Sequence, residues 1–172
     1  MHLGFTGEYQ QKVDGKGRMS IPADFRRVLD AGDPAAKEAG QLAGLYILYG
    51  PHLNGRLVAH TVESFSAIVA AIAAIQPKSQ EEARQKRLAQ VAMLGHAVRL
   101  DLDRDGRVVL PLRQREKIGL TEGEVIYLGL GDTFEIWPAA TYASEVNASL
   151  AQELEALGPD FDPMAAIWTM SG

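Results

Sequence analysis

The stretch that decides the fold is VDGKGRMSIPADFR (residues 13–26), because the chain contains it twice. The second copy, LDRDGRVVLPLRQR (residues 102–115), aligns with the first without a gap. The identical positions are Asp14/Asp103, Gly17/Gly106, Arg18/Arg107, Pro22/Pro111 and Arg26/Arg115, and apolar residues recur at Val13/Leu102, Met19/Val108 and Ile21/Leu110. The repetition predicts two structurally equivalent halves.

Each copy predicts a strand, a tight turn, a second strand and a short helix. The first copy has EYQQKV, DGKG, RMSI and PADFRRVL, and the second has AVRLDL, DRDG, RVVL and PLRQREKIGL. Glycines supply the positive φ that a hairpin turn needs, and proline favours the first turn of a helix. Two further strand-like runs follow each helix: LYILYG and RLVAH in the first copy, EVIYLGL and TFEIW in the second.

The remaining segments predict helices and loops. TVESFSAIVAAIAAIQ and SQEEARQKRLAQVAMLGH form a helical pair broken at Pro77, and AATYASEVNASLAQELEAL forms a C-terminal helix. The stripe Phe65, Ile68, Val69 and Ile72 is expected to be a buried helix face. DAGDPAAKEAGQLAG favours a loop insertion, and GPDFDPMAAIWTMSG shows no clear periodicity. We expect an α+β protein with two repeat units (7–61 and 96–142), a helical linker pair (62–95) and a C-terminal helix with an acidic tail (143–172).

The duplication has a physical reason. A unit of four short strands and one helix has about fifty residues and buries too little apolar surface to be stable alone. Two such units can share one core, and a chain that encodes both forms a pseudo-twofold pair without a second polypeptide.

The composition is that of a globular protein, with 47% hydrophobic and 23% charged residues. The chain has no cysteine, which excludes disulfides and thiolate metal ligands. Neither a signal peptide nor a membrane span is indicated, so a cytoplasmic location and no membrane partner are expected. The net charge of −5 is uneven: residues 145–172 hold five acids and no Lys or Arg, whereas residues 10–29 hold five bases and two acids. This local positive patch is compatible with contact to DNA.

Three segments together resemble the MraZ family, whose halves are swapped-hairpin units of the SpoVT-AbrB type. They are GEYQQKVDGKGRMSIPADFR, LDLDRDGRVVLPLRQREKIGL and VIYLGLGDTFEIW, and the resemblance extends over about residues 7–142. It implies two swapped-hairpin β units that form one pseudo-twofold, barrel-like core flanked by helices. It also implies a bacterial, nucleoid-associated transcription factor that acts on a division and cell-wall gene cluster including its own gene. Such proteins are ring-shaped homo-oligomers that present hairpins to tandem boxes of double-stranded DNA.

The chemistry of the first turn favours a rigid, basic tip. The Asp14 carboxylate can accept hydrogen bonds from turn amides or from Arg18, which would fix the turn, and Gly15 and Gly17 keep it thin. Asp103 and Gly106 are expected to do the same in the second turn. A two-stranded ribbon fits the major groove, where an arginine side chain can pair with guanine. Lysine and arginine side chains can also bind phosphate. The predicted DNA-contacting residues are Lys12, Lys16, Arg18, Arg26, Arg27 and, more weakly, Arg107.

Charge separates the two copies. Residues 8–21 carry three bases and two acids, whereas residues 97–110 carry three of each, with Asp101 and Asp105 in place of Lys12 and Lys16. Carboxylates near the DNA backbone oppose binding. We therefore expect the first hairpin to face DNA and the second mainly to complete the fold. For Arg26 and Arg27, on the predicted helix, a phosphate contact and a solvated surface remain equally open.

Other functional classes have less support. DLDRDG (residues 101–106) matches the first half of a calcium loop, but its twelfth position is Leu112 rather than glutamate and its flanks predict strands. The histidines have no metal spacing, and no nucleophile or phosphate-loop motif is present. We expect no enzyme activity, cofactor, metal or small-molecule substrate. The alternatives to a DNA-binding regulator are an oligomeric scaffold and an AbrB-like antitoxin that binds a toxin.

Overall fold

The computed structural model describes residues 3–171, and the chain divides into two compact units, Met1–Ala139 and Ala140–Gly172. The elements of the first unit are β1 (Glu8–Val13), β2 (Arg18–Ser20), α1 (Ala23–Ala31), α2 (Pro34–Glu38), β3 (Gly44–Leu48), β4 (Leu57–Thr61), α3 (Val62–Ala74), α4 (Gln80–Ala89) with a π-helical extension (Gln90–Leu94), β5 (Ala97–Asp101), β6 (Arg107–Val109), α5 (Leu112–Lys117), β7 (Gly123–Gly129) and β8 (Thr133–Pro138). The chain continues in α6 (Ala139–Thr141), a π-helical stretch (Tyr142–Asn147), α7 (Ala148–Leu157) and α8 (Pro163–Ser171).

The strands form two antiparallel sheets. The larger one has six strands in the order β1-β7-β8-β4-β3-β5, and β2 and β6 form a separate two-stranded ribbon. Four of the six strand pairings join the two copies, namely β1–β7, β2–β6, β3–β5 and β4–β8. The α+β class and the exchange of strands between copies are therefore confirmed. The described residues form no closed barrel, so the barrel-like description applies only loosely.

The core lies between the copies and draws on both. Its centre is an aromatic cluster in which the ring of Phe25 on α1 lies 5.1 Å from Phe5, 4.8 Å from Phe134 and 6.4 Å from Tyr127. Met19 of β2 and Val108 of β6 are each 1% exposed and face each other in the ribbon. These buried side chains pack against residues of the other copy. The two copies therefore share one core, as the repeat predicts.

The short helices begin as their sequences indicate. Pro22 and Pro111 immediately precede α1 and α5, and Phe25, Val28 and Leu29 of α1 are buried, as predicted. The break at Pro77 is also observed, since α3 ends at Ala74 and α4 begins at Gln80.

Two local predictions were wrong, and one segment for which no element was predicted is helical. The insertion expected to be a loop contains α2, because Asp33 accepts the Ala36 N–H at its first turn and Pro34 occupies the first helical position. The tail without periodicity contains α8, where Asp162 accepts the Met164 N–H ahead of Pro163. In α3, Phe65 and Ile72 are buried, but Val69 is 39% exposed and does not belong to the buried face. None of the helices within residues 3–171 has the length and apolar character needed to cross a membrane.

Candidate nucleic-acid interface

The first tip (residues 14–18) is a turn organised by one carboxylate. Oδ1 of Asp14 accepts the N–H groups of Lys16 at 3.0 Å and Arg18 at 2.9 Å, and Oδ2 accepts Nε of Arg18 at 2.6 Å. Backbone bonds close the turn, with the Asp14 N–H donated to the Arg18 carbonyl and the Gly17 N–H to the Asp14 carbonyl. The hydrogen bond from the Arg18 N–H is the main reason that the pKa of Asp14 lies below its usual value. The carboxylate thus holds both the turn and the arginine.

The second tip (residues 103–107) repeats these bonds. Oδ1 of Asp103 accepts the N–H groups of Asp105 at 2.8 Å and Arg107 at 2.9 Å, and the Arg107 N–H is the main cause of a lowered pKa of Asp103. The Arg107 guanidinium has two carboxylates within reach, Oδ2 of Asp103 at 3.4 Å and Oδ2 of Asp105 at 3.1 Å. Arg18 in the first tip forms an ion pair with one carboxylate, that of Asp14, among the described residues. The second arginine is therefore the more fully neutralised of the two.

One glycine in each tip has a backbone with positive φ. Gly17 has φ of 87° and Gly106 has φ of 73°, which is the left-handed region that glycine enters without strain. Gly15 is not in this region, so the prediction that it supplies positive φ was wrong. Its equivalent in the second tip is Arg104, which shows that the position accepts a side chain.

The two tips are joined by a reciprocal seam. The Leu110 N–H is donated to the Gly17 carbonyl at 2.8 Å, and the Ile21 N–H to the Gly106 carbonyl at 2.9 Å. Arg115, only 7% exposed, donates Nε to the Leu110 carbonyl at 2.9 Å and lies against Gly17. Each tip is thus held by the strand that leaves the other tip.

Arg26 occupies the equivalent position on the other side of the seam. It is half-buried, and its guanidinium lies against Gly106 of the second tip. Arg115, by contrast, was not among the predicted site residues, although its equivalence to Arg26 in the repeat was a signal for a shared role.

The ribbon places the arginines of both tips on one face. Arg18 lies opposite Val109, and Ser20 lies opposite Arg107. Residues directly opposite in an antiparallel pair point to the same side, and the residue pair between them, Met19 and Val108, points into the core. The outer face therefore presents Arg18, whose side chain is 42% exposed, together with Arg107, whose side chain is 35% exposed.

An open cleft of about 550 Å³ borders this face. Arg18, Arg107 and Lys12 supply its positive charge, and Asp14 and Glu122 supply its negative charge. An anionic ligand would therefore meet three bases there, two of them already held by carboxylates.

The remaining predicted contacts lie around the ribbon. Lys12 is exposed on β1, opposite Glu124 of β7, and Lys16 is exposed in the first tip. Arg27 is exposed on α1 and ion-paired with Asp24. These bases extend the positive surface of the first copy beyond its tip.

The aspartates of the calcium-like motif already have partners. Asp101 pairs with Nε of Arg99 at 3.2 Å, whereas Asp103 and Asp105 serve the second tip and its arginine. Within residues 3–171, no group of three or more His, Asp or Glu side chains is arranged to hold a metal ion.

Comparison with known proteins gives one consistent picture. A family model described as "MraZ protein, putative antitoxin-like" matches residues 5–33 and 93–156, which include both tips. The chain is 42% identical over 160 residues to the transcriptional regulator MraZ of Ruegeria pomeroyi, covering 93% of this chain and 92% of that protein. It is 37% identical over 178 residues to the transcriptional regulator MraZ of Cereibacter sphaeroides, covering 100% and 99% of the two chains.

Proposed function

The chain belongs to the MraZ family, and we propose that it binds double-stranded DNA sequence-specifically through the β2–β6 ribbon and its two tips. Like its curated relatives it is a transcriptional regulator and not an enzyme. The proposed target is the promoter of a division and cell-wall gene cluster that includes its own gene, with tandem boxes as the bound element. A protein with this role acts in the cytoplasm, on the nucleoid.

The observation that carries the proposal is the pair of arginines on one narrow, outward-facing ribbon. A two-stranded ribbon fits into the major groove, where an arginine can bind guanine through two hydrogen bonds. The bond from Arg18 to Asp14 uses Nε, one of five guanidinium donors, and leaves the others for a base or phosphate. Holding the side chain in place before binding lowers the entropy that is lost on binding.

The other bases have distinct proposed roles. Lys12, Lys16 and Arg27 are exposed and contact phosphate, which sets affinity without specifying sequence. Arg26 contributes by supporting the second tip at Gly106. Arg107 contributes more weakly than Arg18, since two carboxylates already share its charge.

We also propose that copies of the chain assemble into a ring. Helix α3 has one charged residue, Glu63. The helix borders an open groove of about 620 Å³, whose lining includes Leu3, Val28, Ala67, Ile68, Ala71 and the acid Asp132. Helix α4 and its π-helical extension carry exposed Leu88 and Val91, at 56% and 44%, beside the bases Lys86 and Arg87 of the last turn of α4. The acids of α4, Glu81 and Glu82, lie in its first turn, where Glu81 pairs with Arg84. An acidic apolar groove and a basic apolar ridge on one chain are complementary. A contact between two different surfaces closes into a ring when the rotation allows it.

The binding test compares three arginine variants on duplex DNA carrying tandem boxes from the promoter of the chain's own gene. Arg18→Ala should weaken specific binding by about 1–3 kcal/mol per contacting subunit, which corresponds to roughly 5- to 150-fold. Arg107→Ala should weaken it less, and Lys37→Ala, which removes an exposed base of α2 outside both proposed surfaces, is the charge-matched control. Lys16→Ala should weaken binding to every sequence and flatten the dependence on salt. Equal binding of box and scrambled duplexes by the wild type would refute the proposal.

The assembly test is light scattering at micromolar concentration. Leu88→Glu should lower the mass toward that of a monomer, whereas Leu42→Glu, at a position 50% exposed and away from α4 in sequence, should not. A monomeric wild type would refute the ring, and a ring without sequence preference for DNA would favour the scaffold function instead.

A second candidate function is that of an antitoxin, which the description of the family model favours. An antitoxin would bind a second protein encoded next to it and lower that protein's toxicity. Co-expression with the neighbouring gene products, followed by purification of the tagged chain, separates this role from binding to DNA alone.

A further inference from the structure

The outer face of the ribbon carries four side chains, and only two of them are equivalent. Arg18 and Arg107 are the same residue at matching positions of the repeat. The other two, Ser20 and Val109, also occupy matching positions but differ in chemistry. Each lies directly opposite the arginine of the other copy, Val109 beside Arg18 and Ser20 beside Arg107. The face therefore has a pseudo-twofold arrangement of charge and an asymmetric arrangement of its remaining groups.

Val109 is the apolar group on this face. It is 53% exposed, while its neighbours Val108 and Leu110 are 1% and 0% exposed and belong to the core. An exposed valine alone is ordinary on a protein surface. Here its position is informative, because Cβ atoms of directly opposed residues lie about 4.5–5.5 Å apart. Any base pair contacted by Arg18 is thus flanked by the methyl groups of Val109.

We propose that Val109 and Ser20 are specificity determinants of the DNA face. Val109 packs against the C5-methyl group of a thymine next to the base pair that Arg18 contacts, since apolar side chains recognise thymine in this way. Ser20, beside Arg107, can donate or accept a hydrogen bond, so it can contact either a purine or a pyrimidine. Each chain consequently binds its box in one orientation. This inference rests on the proposed binding of DNA.

Because the face is asymmetric, each substitution should change the base preference in a different way. Val109→Ser makes both halves of the face polar, and the preference for thymine beside Arg18 should disappear. The double exchange Ser20→Val/Val109→Ser should move that preference to the base pair beside Arg107, so that the selected box is inverted relative to the basic residues of the first tip. Val109→Thr keeps the branched shape and one methyl group, and it separates a packing effect from loss of folding.

The experiment is selection from a randomised duplex library by the full chain, followed by binding to boxes in which single thymines are replaced by deoxyuracil. Deoxyuracil lacks only the methyl group, so the wild type should lose about fourfold in affinity at one position, the effect of one buried methyl group. Val109→Ser should show no such loss at that position. Leu130→Ser, at a site 55% exposed in the turn between β7 and β8, is the matched control and should select the wild-type box.

Two results have different consequences. An unchanged selected sequence for Val109→Ser, or an equal deoxyuracil effect in the wild type and this variant, would overturn the assignment while leaving DNA binding intact. A wild type that enriches no sequence from the library would instead refute the proposed function and the inference with it.

Discussion

Gly17→Ala perturbs the seam that joins the two tips. Gly17 has φ of 87°, and its carbonyl oxygen accepts the buried Leu110 N–H at 2.8 Å. A Cβ atom at this position would overlap the backbone carbonyl oxygen of Leu110 and lie 3.1 Å from Nε of Arg115. Because a backbone atom cannot turn away as the end of a side chain can, the pairing of β2 with β6 has to shift.

The expected cost follows from two contributions. The left-handed backbone costs a residue with a Cβ about 1–2 kcal/mol. A buried N–H left without its acceptor, here that of Leu110, costs about 1–3 kcal/mol more. Gly17→Ala should therefore lower the free energy of unfolding by about 2–5 kcal/mol. For a chain of this size each kcal/mol corresponds to roughly 2–4 °C in Tm.

Two other glycines provide graded controls. A Cβ at Gly106 would overlap Nη1 of Arg26, the end of a flexible side chain, so only the backbone cost of about 1–2 kcal/mol is expected. A Cβ at Gly15 would first meet Oε2 of Glu122 at 3.5 Å, an ordinary contact, and its effect should stay within about 0.5 kcal/mol.

The assay is urea unfolding followed by circular dichroism at several protein concentrations, because self-association adds to apparent stability. The order of loss should be Gly17→Ala, then Gly106→Ala, then Gly15→Ala. A Gly15→Ala loss equal to that of Gly17→Ala, or a larger loss for Gly106→Ala than for Gly17→Ala, would show that the seam does not hold the tips.

Three further outcomes are expected. Tyr127 is fully buried and donates its hydroxyl to the Ser20 carbonyl at 3.0 Å, so Tyr127→Phe should cost about 1 kcal/mol in chemical unfolding, and an unchanged midpoint would count against that bond. Burial lowers the pKa of His60, so the folded state resists its protonation; stability should fall as pH drops below the unfolded pKa of about 6.5, and melts of His60→Gln should lose that part of the slope. Millimolar calcium should leave Tm unchanged, and a saturable rise that Asp103→Ala abolishes would revive a calcium site.

The sequence predicted where the strands lie but not which strands pair. Period and turn residues located β1, β2, β5 and β6 correctly, yet nothing local in EYQQKV indicates that its hydrogen bonds go to β7 rather than to β2 across the turn. Pairing depends on which apolar faces can be buried together, and that is a property of both copies at once. Only the family resemblance predicted that the two copies exchange strands.

The two missed helices share a local signal. Both α2 and α8 begin at an Asp-Pro pair, Asp33-Pro34 and Asp162-Pro163, in which the aspartate accepts a backbone N–H of the first turn. Aspartate before the first helical residue and proline at that residue are strong helix-start preferences. Composition rich in glycine and alanine outweighed that signal in the first segment, and the lack of clear periodicity outweighed it in the second. The candidate site was more predictable, because each tip is a short local motif whose carboxylate can reach only nearby amides.

The differences between the two copies explain what a fused duplication makes possible. The five identical positions all have a structural role in both copies: the aspartates fix the turns and pair with Arg18 and Arg107, the glycines form the seam, the prolines precede the short helices, and Arg26 and Arg115 lie against those glycines. The three recurring apolar pairs, such as Met19/Val108, are buried. Of the remaining six pairs in residues 13–26 and 102–115, five are exposed in both copies, and Phe25/Gln114 is buried in both. Two identical units would have to present the same groups in both halves of the ribbon face. Fusion keeps the seam symmetric while the exposed positions diverge, so that the proposed DNA face has Val109 on one side and Ser20 on the other.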